Sequence, residues 1–329
     1  MQARPLVPFR PLAAVLIILS VLTAGPAPAM ERARLVLQWT HQAQFAGYYV
    51  AREKGYYAEL GLDLEIMQGG PDRIAMECLE TGRADFGSMF LATAIEHRAS
   101  GMPVICLGQF VQKSALMLVA RKGTGITGAT DLNGRKVGIW ANEFQLQPRA
   151  LFRRLNIRTQ LIPQTSTLDL FLRGGVAAAS AMWYNEYHKL IMHGVDEDEL
   201  VPFFFSDMDL NFPEDGLYCM ESTWQERPEA CKALVQGTAK GWEYVFAHPH
   251  EALDIVLRNM TEARLPLNHV HQRWMLDRMR DIIQPENGTV PLGELSRRDF
   301  RRVTETLLET GFIRSAPAYE AFYKGVPHD

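Results

Sequence analysis

Aromatic and hydroxyl side chains stand where two predicted strands in the first third of the chain end. Trp39 closes the strand predicted at residues 35–39, and Ser88 and Met89 close the short strand predicted at residues 84–88. Open α/β sheets bind their ligands at the carboxyl ends of the strands. An indole placed there can stack on a flat ring, a contact worth about 1–3 kcal/mol for a nucleic-acid base. We therefore predict a ligand site that includes Trp39, which could instead only seal its strand.

The other polar and aromatic residues near these strand ends each have two interpretations. Ser88 can hold a carbonyl or anionic group of a ligand with the backbone amides around it, or it can cap the helix that follows. His41 can hydrogen-bond a ligand or cap the next helix through its ring. Tyr48 and Tyr49 lie one turn into that helix, so we expect one to face the ligand and the other the core.

A similar strand end follows in the second third of the chain, at residues 136–140. Trp140, Asn142 and Glu143 come at this point and are candidate ligand contacts. The run has neither the glycine density nor the lysine of a phosphate-binding loop. Trp140 could oppose Trp39 and complete an aromatic clamp on a planar ligand, or it could pack only within its own lobe.

The sharpest cluster is Tyr184 and Glu186, directly after an apolar strand predicted at residues 176–183. A carboxylate in a cleft can accept two hydrogen bonds from an aminopyrimidine edge, and the contact is charge-assisted if the ring is protonated. The alternative is that Glu186 only stabilises the positive end of the next helix. Asp215, which precedes the return crossing to the first lobe, is a further candidate at the rim or hinge.

Several chemistries find no support in the sequence. The nine histidines and four cysteines fall in no metal-binding spacing, and we expect the pairs His248/His250 and His269/His271 to be surface residues. Motifs of serine, zinc or cysteine hydrolases are absent. We therefore expect no catalytic residues, no metal and no cofactor. The cysteines could be buried thiols or disulfides.

The predicted elements alternate strands and helices, which indicates an α/β fold with two mostly parallel sheets flanked by helices. A glycine-rich run at residues 123–128 separates two such units. We predict a discontinuous first lobe at residues 30–122 and 217–329, and a second lobe at residues 123–216. The cleft between two lobes is the default ligand site, and hinge closure around a ligand is a known use of this arrangement.

The first 29 residues have the pattern of a cleavable export signal. Two arginines precede an apolar run at residues 12–22, and Ala27-Pro-Ala29 matches a small-residue cleavage site. We therefore expect a periplasmic protein. The formal net charge is −4, from 34 basic and 38 acidic residues, with no basic run. This balance is unfavourable for nucleic-acid binding.

These motifs resemble the substrate-binding proteins that share a fold with the yeast thiamine-pyrimidine synthase. The resemblance rests first on Leu37-Gln-Trp and Ala43-Gln-Phe-Ala-Gly-Tyr-Tyr, and extends over most of the chain after the signal. The supporting motifs are Gly82-Arg-Ala-Asp-Phe-Gly, Asp131-Leu-Asn-Gly-Arg-Lys-Val-Gly-Ile, Tyr184-Asn-Glu-Tyr and Glu214-Asp-Gly. It implies a type II periplasmic-binding-protein fold, in which an aromatic residue at Trp39 and an acid, here Glu186, contact a pyrimidine.

The resemblance also implies a function. We expect a monomeric solute-binding protein that delivers a small planar heterocycle, such as a thiamine pyrimidine precursor, to the permease of an ABC importer by hinge closure. The alternatives are a riboflavin-binding protein, an extracytoplasmic sensor module and a pyrimidine-precursor synthase. The synthase branch uses iron and a cysteine-rich motif and consumes its own histidine. No cysteine cluster occurs in this chain, so we do not expect an enzyme.

Overall fold

The chain forms two five-stranded sheets in a computed structural model that describes residues 30–285 and 290–326. The predicted export signal, residues 1–29, lies outside the described residues. The strands are β1 (Glu31–Val36), β2 (Leu62–Met67), β3 (Phe86–Phe90), β4 (Val104–Gln109), β5 (Leu116–Arg121), β6 (Lys136–Ile139), β7 (Gln160–Pro163), β8 (Ala178–Met182), β9 (Leu200–Phe204) and β10 (Asp215–Met220).

Both sheets have the same topology. The first has the strand order β2-β1-β3-β10-β4 and the second β7-β6-β8-β5-β9. In each, one strand runs antiparallel to both of its neighbours: β10 in the first sheet and β5 in the second. The other registered pairs, such as Leu35↔Ile66 and Val137↔Leu161, are parallel. The α/β prediction with two sheets flanked by helices is therefore confirmed, as a pair of mixed sheets.

The crossings between the sheets lie beside β5 and β10. Strand β5 pairs with β8 and β9, so Leu116–Arg121 belongs to the second sheet, and Asp215–Met220 belongs to the first. The two crossings therefore run over residues 110–115 and 205–214, instead of lying at 122/123 and 216/217. The glycine-rich run at residues 123–128 is a turn after β5, where Gly123 has a φ of 77° that favours glycine.

Helices cover the sheets, and the long C-terminal ones return to the first lobe. They are α1 (Ala46–Glu53), α2 (Tyr56–Glu59), α3 (Ala75–Glu80), α4 (Leu91–Ala99), α5 (Leu146–Arg154), α6 (Asp169–Leu172), α7 (Glu186–Met192), α8 (Glu221–Glu226), α9 (Pro228–Ala247), α10 (Pro249–Glu262), α11 (His269–Ile283), α12 (Arg297–Thr310) and α13 (Tyr319–Phe322).

Helix α1 carries the first candidate tyrosines and packs tightly against α9. A Cβ atom added at Gly241 of α9 would lie 2.1 Å from the carbonyl oxygen of Gly47 in α1. Position 241 therefore has no room for a side chain, and a Cβ atom at Gly47 would lie 2.5 Å from the Trp242 ring. The contact fixes α1, and with it the loop after β1, against the rest of the first lobe.

One large apolar core joins the two lobes, and a smaller one lies within the second lobe. The first contains Leu35 of β1 together with Leu116 and Leu118 of β5. The smaller core includes Met117 and Val119, on the opposite face of β5. In the ranges that the structure describes, no helix is long and apolar enough to cross a membrane.

Candidate functional site

The two lobes meet where aromatic side chains at the ends of β3 and β6 touch. Phe90 of the first lobe and Phe144 of the second lie edge to face, with ring centroids 5.2 Å apart. The cavity lined by Phe90, Phe144 and Met182 has a volume of only about 20 Å³, which is room for about one water molecule. At these residues the lobes are in contact, an arrangement that we call the shut form, and a ring-sized ligand can enter this seam only if the lobes part.

Asp215, which is paired with Phe90 in the first sheet, supplies a buried carboxylate with one oxygen that has no hydrogen-bond partner. Its Oδ2 atom accepts a hydrogen bond of 2.6 Å from Nε2 of Gln44, and its Oδ1 atom has no hydrogen-bond partner. Burial raises the pKa of Asp215 to about 7, although the bond from Gln44 opposes the shift. A buried polar oxygen without a partner is rare in folded proteins. Oδ1 is therefore available to a ligand.

The neighbouring acid, Glu214, is committed to the crossing between the lobes. Its Oε1 atom accepts hydrogen bonds from the amides of Ala115 and Leu116, at 2.6 and 3.2 Å, and from the Ser114 hydroxyl at 3.1 Å. Burial, and then the charge of Asp215, raises the pKa of Glu214 to about 8. Glu214 thus ties the two crossings together through Oε1, and it also lines the cavity between the lobes.

Glu186 and Tyr184 approach the same region from the second lobe. Glu186 begins α7 and is 6 % exposed. Its Oε2 atom accepts a hydrogen bond of 3.1 Å from the amide of Met182, and its Oε1 atom accepts one of 2.8 Å from Nδ2 of Asn185. Burial raises the pKa of Glu186, and the charge of Lys189 opposes the shift.

The charges of acids from both lobes act on Tyr184. Burial raises the pKa of its hydroxyl, and the charges of Glu214, Asp215 and Glu186 raise it further. Tyr184 is therefore close enough to Asp215 of the first lobe and to Glu186 of the second for their charges to act on its hydroxyl, and Gln44 bonds Asp215. This combination of acceptors and an aromatic ring suits a flat ligand that carries N–H groups.

Trp39 lies on the loop after β1 and is 39 % exposed. The loop is held by a hydrogen bond of 2.9 Å from the amide of Gln38 to the Ser88 hydroxyl, and by one of 3.1 Å from the amide of Gly69 to the carbonyl of Trp39. Ser88 and Met89 are buried, and the Ser88 hydroxyl serves this loop. Its predicted ligand contact would have to share that oxygen.

Trp140 packs within its own lobe in this structure. Its Nε1 atom donates to the carbonyl of Thr165 at 3.0 Å, and its ring lies edge to face against Phe144. The clamp with Trp39 is not assembled in this shut form. Asn142 is exposed in the left-handed conformation with a φ of 56°, and burial raises the pKa of its neighbour Glu143, which lines the seam.

His41 and the two tyrosines of α1 are bonded or packed inside the first lobe. Tyr48 and Tyr49 are both buried, although we expected one to face the ligand. The Tyr48 ring stacks on Phe45, with centroids 6.3 Å apart. The Tyr49 hydroxyl lies 2.8 Å from Nδ1 of His41, and burial lowers the pKa of this histidine.

The sequence did not reveal Gln44 or a histidine pair on the rim of the seam. His271 of α11 was predicted to be a surface residue, which is wrong: it is 7 % exposed and lies 2.8 Å from His188 of α7. The helical spacing of His271, Met275 and Met279, which are all buried, is the signal that could have placed it on an inner face.

Residues 30–285 and 290–326 contain neither a cluster of side chains that could form a metal site nor a disulfide. No cluster of three or more histidine, cysteine or acidic side chains there could hold a metal ion. The four cysteines are buried thiols.

Two lobes of equal topology, joined by two crossings and meeting at a seam with buried acids, define the periplasmic-binding-protein fold. The chain belongs to the NMT1/THI5-like family, whose sequence pattern matches residues 42–252. The resemblance inferred from the motifs at Trp39 and Glu186 is confirmed at the level of the family.

Relatives with assigned names in this family bind or make different molecules. The riboflavin-binding protein RibY of Chloroflexus aurantiacus is 25% identical over 256 residues, which are 74% of this chain and 72% of the relative. The formylaminopyrimidine-binding protein of Halalkalibacterium halodurans is 26% identical over 294 residues, 87% of each chain. A 4-amino-5-hydroxymethyl-2-methylpyrimidine phosphate synthase of Legionella pneumophila is 24% identical over 253 residues, 72% of this chain and 76% of the relative.

Solved structures with the same fold include components of ABC importers. The periplasmic aliphatic sulphonate-binding protein SsuA of Escherichia coli superposes with a TM-score of 0.68 at 14% identity, covering 90% of this chain and 93% of SsuA. A ligand-binding component of an ABC-type import system from Staphylococcus aureus gives 0.64 at 12% identity, covering 91% of this chain and 100% of that protein. At such identities the likeness establishes the fold alone.

Proposed function

We propose that this protein is the exported solute-binding component of an ABC importer and that it carries a small aminopyrimidine related to the thiamine precursors. The observation that carries the proposal is the buried Asp215, whose Oδ1 atom has no partner, in the same region as Tyr184 and Glu186 of the other lobe. The named relatives that bind formylaminopyrimidine and riboflavin support a flat nitrogen heterocycle as the cargo.

The chemistry of the two acids favours an aminopyrimidine. Such a ring presents an exocyclic amine beside ring nitrogens, so a carboxylate can accept from the amine and, if the ring is protonated, from a ring N–H as well. In this proposal Glu186 accepts hydrogen bonds from that edge on the second-lobe side, Asp215 accepts one from a donor on the first-lobe side, and Trp39 stacks on the ring.

Closure then follows from contacts that the ligand makes with both lobes. A ligand shifts the equilibrium between open and shut forms only by the difference in its affinity for them. A ring held by Glu186 on one side and Asp215 on the other gains its second contact only when the lobes approach. Glu214, which binds both crossings, is placed at the pivot of this motion.

Riboflavin is the second candidate because RibY is among the named relatives. The pyrimidine part of a flavin presents one N–H between two carbonyl oxygens. A carboxylate can accept from that N–H, but its second oxygen then faces a carbonyl oxygen and is repelled. The acids at this seam therefore support the aminopyrimidine over the flavin.

We also propose a binding protein in preference to a synthase or a sensor. Relatives with synthase names exist in the family. If this chain were a synthase that consumes its own histidine, mass spectrometry after incubation with cofactor and iron would show the loss of a histidine. A sensor would instead bind a membrane kinase or cyclase. Transport requires that the loaded protein stimulate ATP hydrolysis by its permease.

The test is calorimetry on protein stripped of cargo by unfolding and refolding, titrated with formylaminopyrimidine, 4-amino-5-hydroxymethyl-2-methylpyrimidine and riboflavin. We expect saturable binding of at least one pyrimidine, weakened about tenfold or more in Glu186→Gln, because a charge-assisted contact is lost. Glu229→Gln, an exposed change on α9, is the matched control. Binding of riboflavin with no binding of either pyrimidine would replace the first candidate with the second, and no binding at all would refute both.

A further inference from the structure

A chain of hydrogen bonds connects the C-terminal helix α11 of the first lobe to Glu186 in the second. Nε2 of His271 lies 3.0 Å from Oδ1 of Asn185, whose Nδ2 atom donates to Oε1 of Glu186 at 2.8 Å. On its other side, Nδ1 of His271 lies 2.8 Å from Nδ1 of His188. This chain of hydrogen bonds, which we call the bridge, therefore links the first lobe to Glu186, the acid that in our proposal accepts hydrogen bonds from the edge of the ligand.

The hydrogen-bond partners determine where the protons of this chain lie. The amide of Asn185 must turn its nitrogen to Glu186, because the reverse orientation would place its oxygen against a carboxylate oxygen. Oδ1 of Asn185 is then an acceptor, so Nε2 of His271 carries the proton and Nδ1 is the bare nitrogen. The Nδ1 atom of His188 must therefore be the donor to His271.

We propose that His271 is a positioning residue. From the first lobe it holds Asn185, and Asn185 in turn holds the Glu186 carboxylate, so that Glu186 is oriented to contact the ligand only when the lobes are shut. The inference rests on the proposed function of Glu186. In this inference α11 couples closure of the lobes to the orientation of Glu186, and His271 acts through Asn185 without touching the ligand.

Aromatic contacts on the same helix hold the bridge in place. The His188 ring stacks on Trp274 of α11 with centroids 4.8 Å apart, and Nε1 of Trp274 donates to the carbonyl of Trp183 at 3.0 Å. The Arg278 guanidinium lies 4.6 Å from the ring centroid of Trp183 and 4.8 Å from that of Trp274. Helix α11 therefore contacts both the residue before Tyr184 and the residue after it.

The assigned bond between His271 and His188 needs a neutral His271. A proton added at Nδ1 would face the N–H of His188, so this bond persists only if His188 changes tautomer, whereas Nε2 can still donate to Asn185. Burial, followed by the charges of Lys189 and His188, lowers the pKa of His271 from 6.5 to about 4 in the shut form. Burial also lowers the pKa of His188, which the charge of Glu197 opposes. The remaining charged groups at the bridge are Glu186 and Arg278.

The sign of the pH dependence follows from this lowered pKa. If opening exposes the ring and returns its pKa to 6.5, the contribution of the bridge to closure is present above that pH and is lost as the pH falls towards 4. Between pH 7.5 and 5 the apparent affinity should fall by up to about 30-fold through His271 alone. Glu186, Asp215 and the ligand also titrate, so the comparison with a variant isolates the histidine.

The experiment compares His271→Leu and His271→Gln with the wild type, in calorimetry with formylaminopyrimidine at pH 7.5 and pH 5. Leucine removes both bonds and should weaken binding about tenfold or more at pH 7.5. Glutamine can still donate to Asn185 but does not titrate, so it should bind within about threefold of wild type at pH 7.5 and show a smaller loss at pH 5. His269→Gln, an exposed change on the same helix, should behave as wild type.

The outcomes separate this inference from the proposed function. Wild-type binding with unchanged affinity and pH profile in His271→Leu would overturn the positioning role and leave the function standing. Absence of pyrimidine binding in the wild type would overturn both. Nitrogen-15 NMR of labelled histidines tests the bridge in a second way: a neutral ring with the proton on Nε2 at pH 5.5 supports it, and a charged ring or the other tautomer overturns it, even if a variant misfolds.

Discussion

The buried Asp215 makes a prediction about stability that can be worked out from its surroundings. Its pKa is raised from 3.8 to about 7 in the folded protein, chiefly by burial. A carboxyl whose pKa is raised on folding contributes its full stability below the unfolded pKa, and this contribution is lost as the pH rises through the folded pKa. At pH 8 the ionised group therefore destabilises the fold by up to about 4 kcal/mol, at roughly 1.4 kcal/mol for each pH unit between the two values.

Replacement of Asp215 by Asn removes this penalty and keeps the shape. The new side-chain oxygen can still accept the bond from Gln44, and the amide group needs no charge compensation. In urea unfolding at pH 8, Asp215→Asn should be more stable than wild type by about 2–4 kcal/mol, and the difference should shrink by about 2–3 kcal/mol at pH 5. The same variant should bind formylaminopyrimidine more weakly, because stability gained at a binding site is commonly lost function.

The matched control is Asp254→Asn, an exposed change on α10 that should alter neither stability nor its pH dependence. An Asp215→Asn protein that is less stable than wild type at pH 8, or whose stability difference is the same at both pH values, would refute the reasoning. Either result would mean that Asp215 has a charge partner in the folded protein.

Two further predictions concern the first lobe. Trp39→Ala should weaken pyrimidine binding by about 1–3 kcal/mol, because a stacking contact is lost. The stability should not change, because the indole is 39 % exposed. Trp39→Phe should recover part of the affinity, and equal affinities of Trp39→Ala and wild type in calorimetry would remove Trp39 from the site. Gly241→Val should lower the free energy of unfolding by roughly 3 kcal/mol or more, because its Cβ atom would lie 2.1 Å from the Gly47 carbonyl oxygen. Lys240→Val, an exposed change on the same helix, should alter the free energy of unfolding little. A thermal midpoint for Gly241→Val equal to that of wild type would contradict the close packing of α1 on α9.

Elements with strong local signals could be predicted from the sequence. The strand at residues 62–67 is encoded locally, because Leu62, Leu64 and Ile66 alternate with polar residues and are buried in the core. The glycines that end two helices are also local signals: Gly55 and Gly82 follow α1 and α3 and have the left-handed φ values of 79° and 65° that this position favours.

Features that depend on distant contacts could not be predicted. The first strand begins at Glu31 instead of residue 35, because its charged side chains are satisfied from far along the chain: Arg227 bonds both Glu31 and Asp85. The glycine-rich run at residues 123–128 predicts a lobe boundary after β5. The boundary instead precedes β5, because β5 pairs with β8 and β9 of the second sheet, and no local pattern shows this pairing.

The candidate site divides in the same way. Trp39, Glu186 and Asp215 could be named because each follows or begins an element whose position is locally encoded. The burial of both Tyr48 and Tyr49 depends on α9 and α10 closing over α1, and the burial of His271 depends on α7 of the other lobe. No local pattern reports such packing between segments that are far apart in the sequence.

The account depends on one claim, that the two lobes shut on an aminopyrimidine read by Glu186. A crystal structure of the stripped protein with formylaminopyrimidine tests it most directly. We predict the ring in the seam between the lobes, its exocyclic amine donating to Glu186 and a second donor reaching Oδ1 of Asp215. A ring bound outside the seam, or bound in it with neither carboxylate in hydrogen-bonding contact, would contradict the claim.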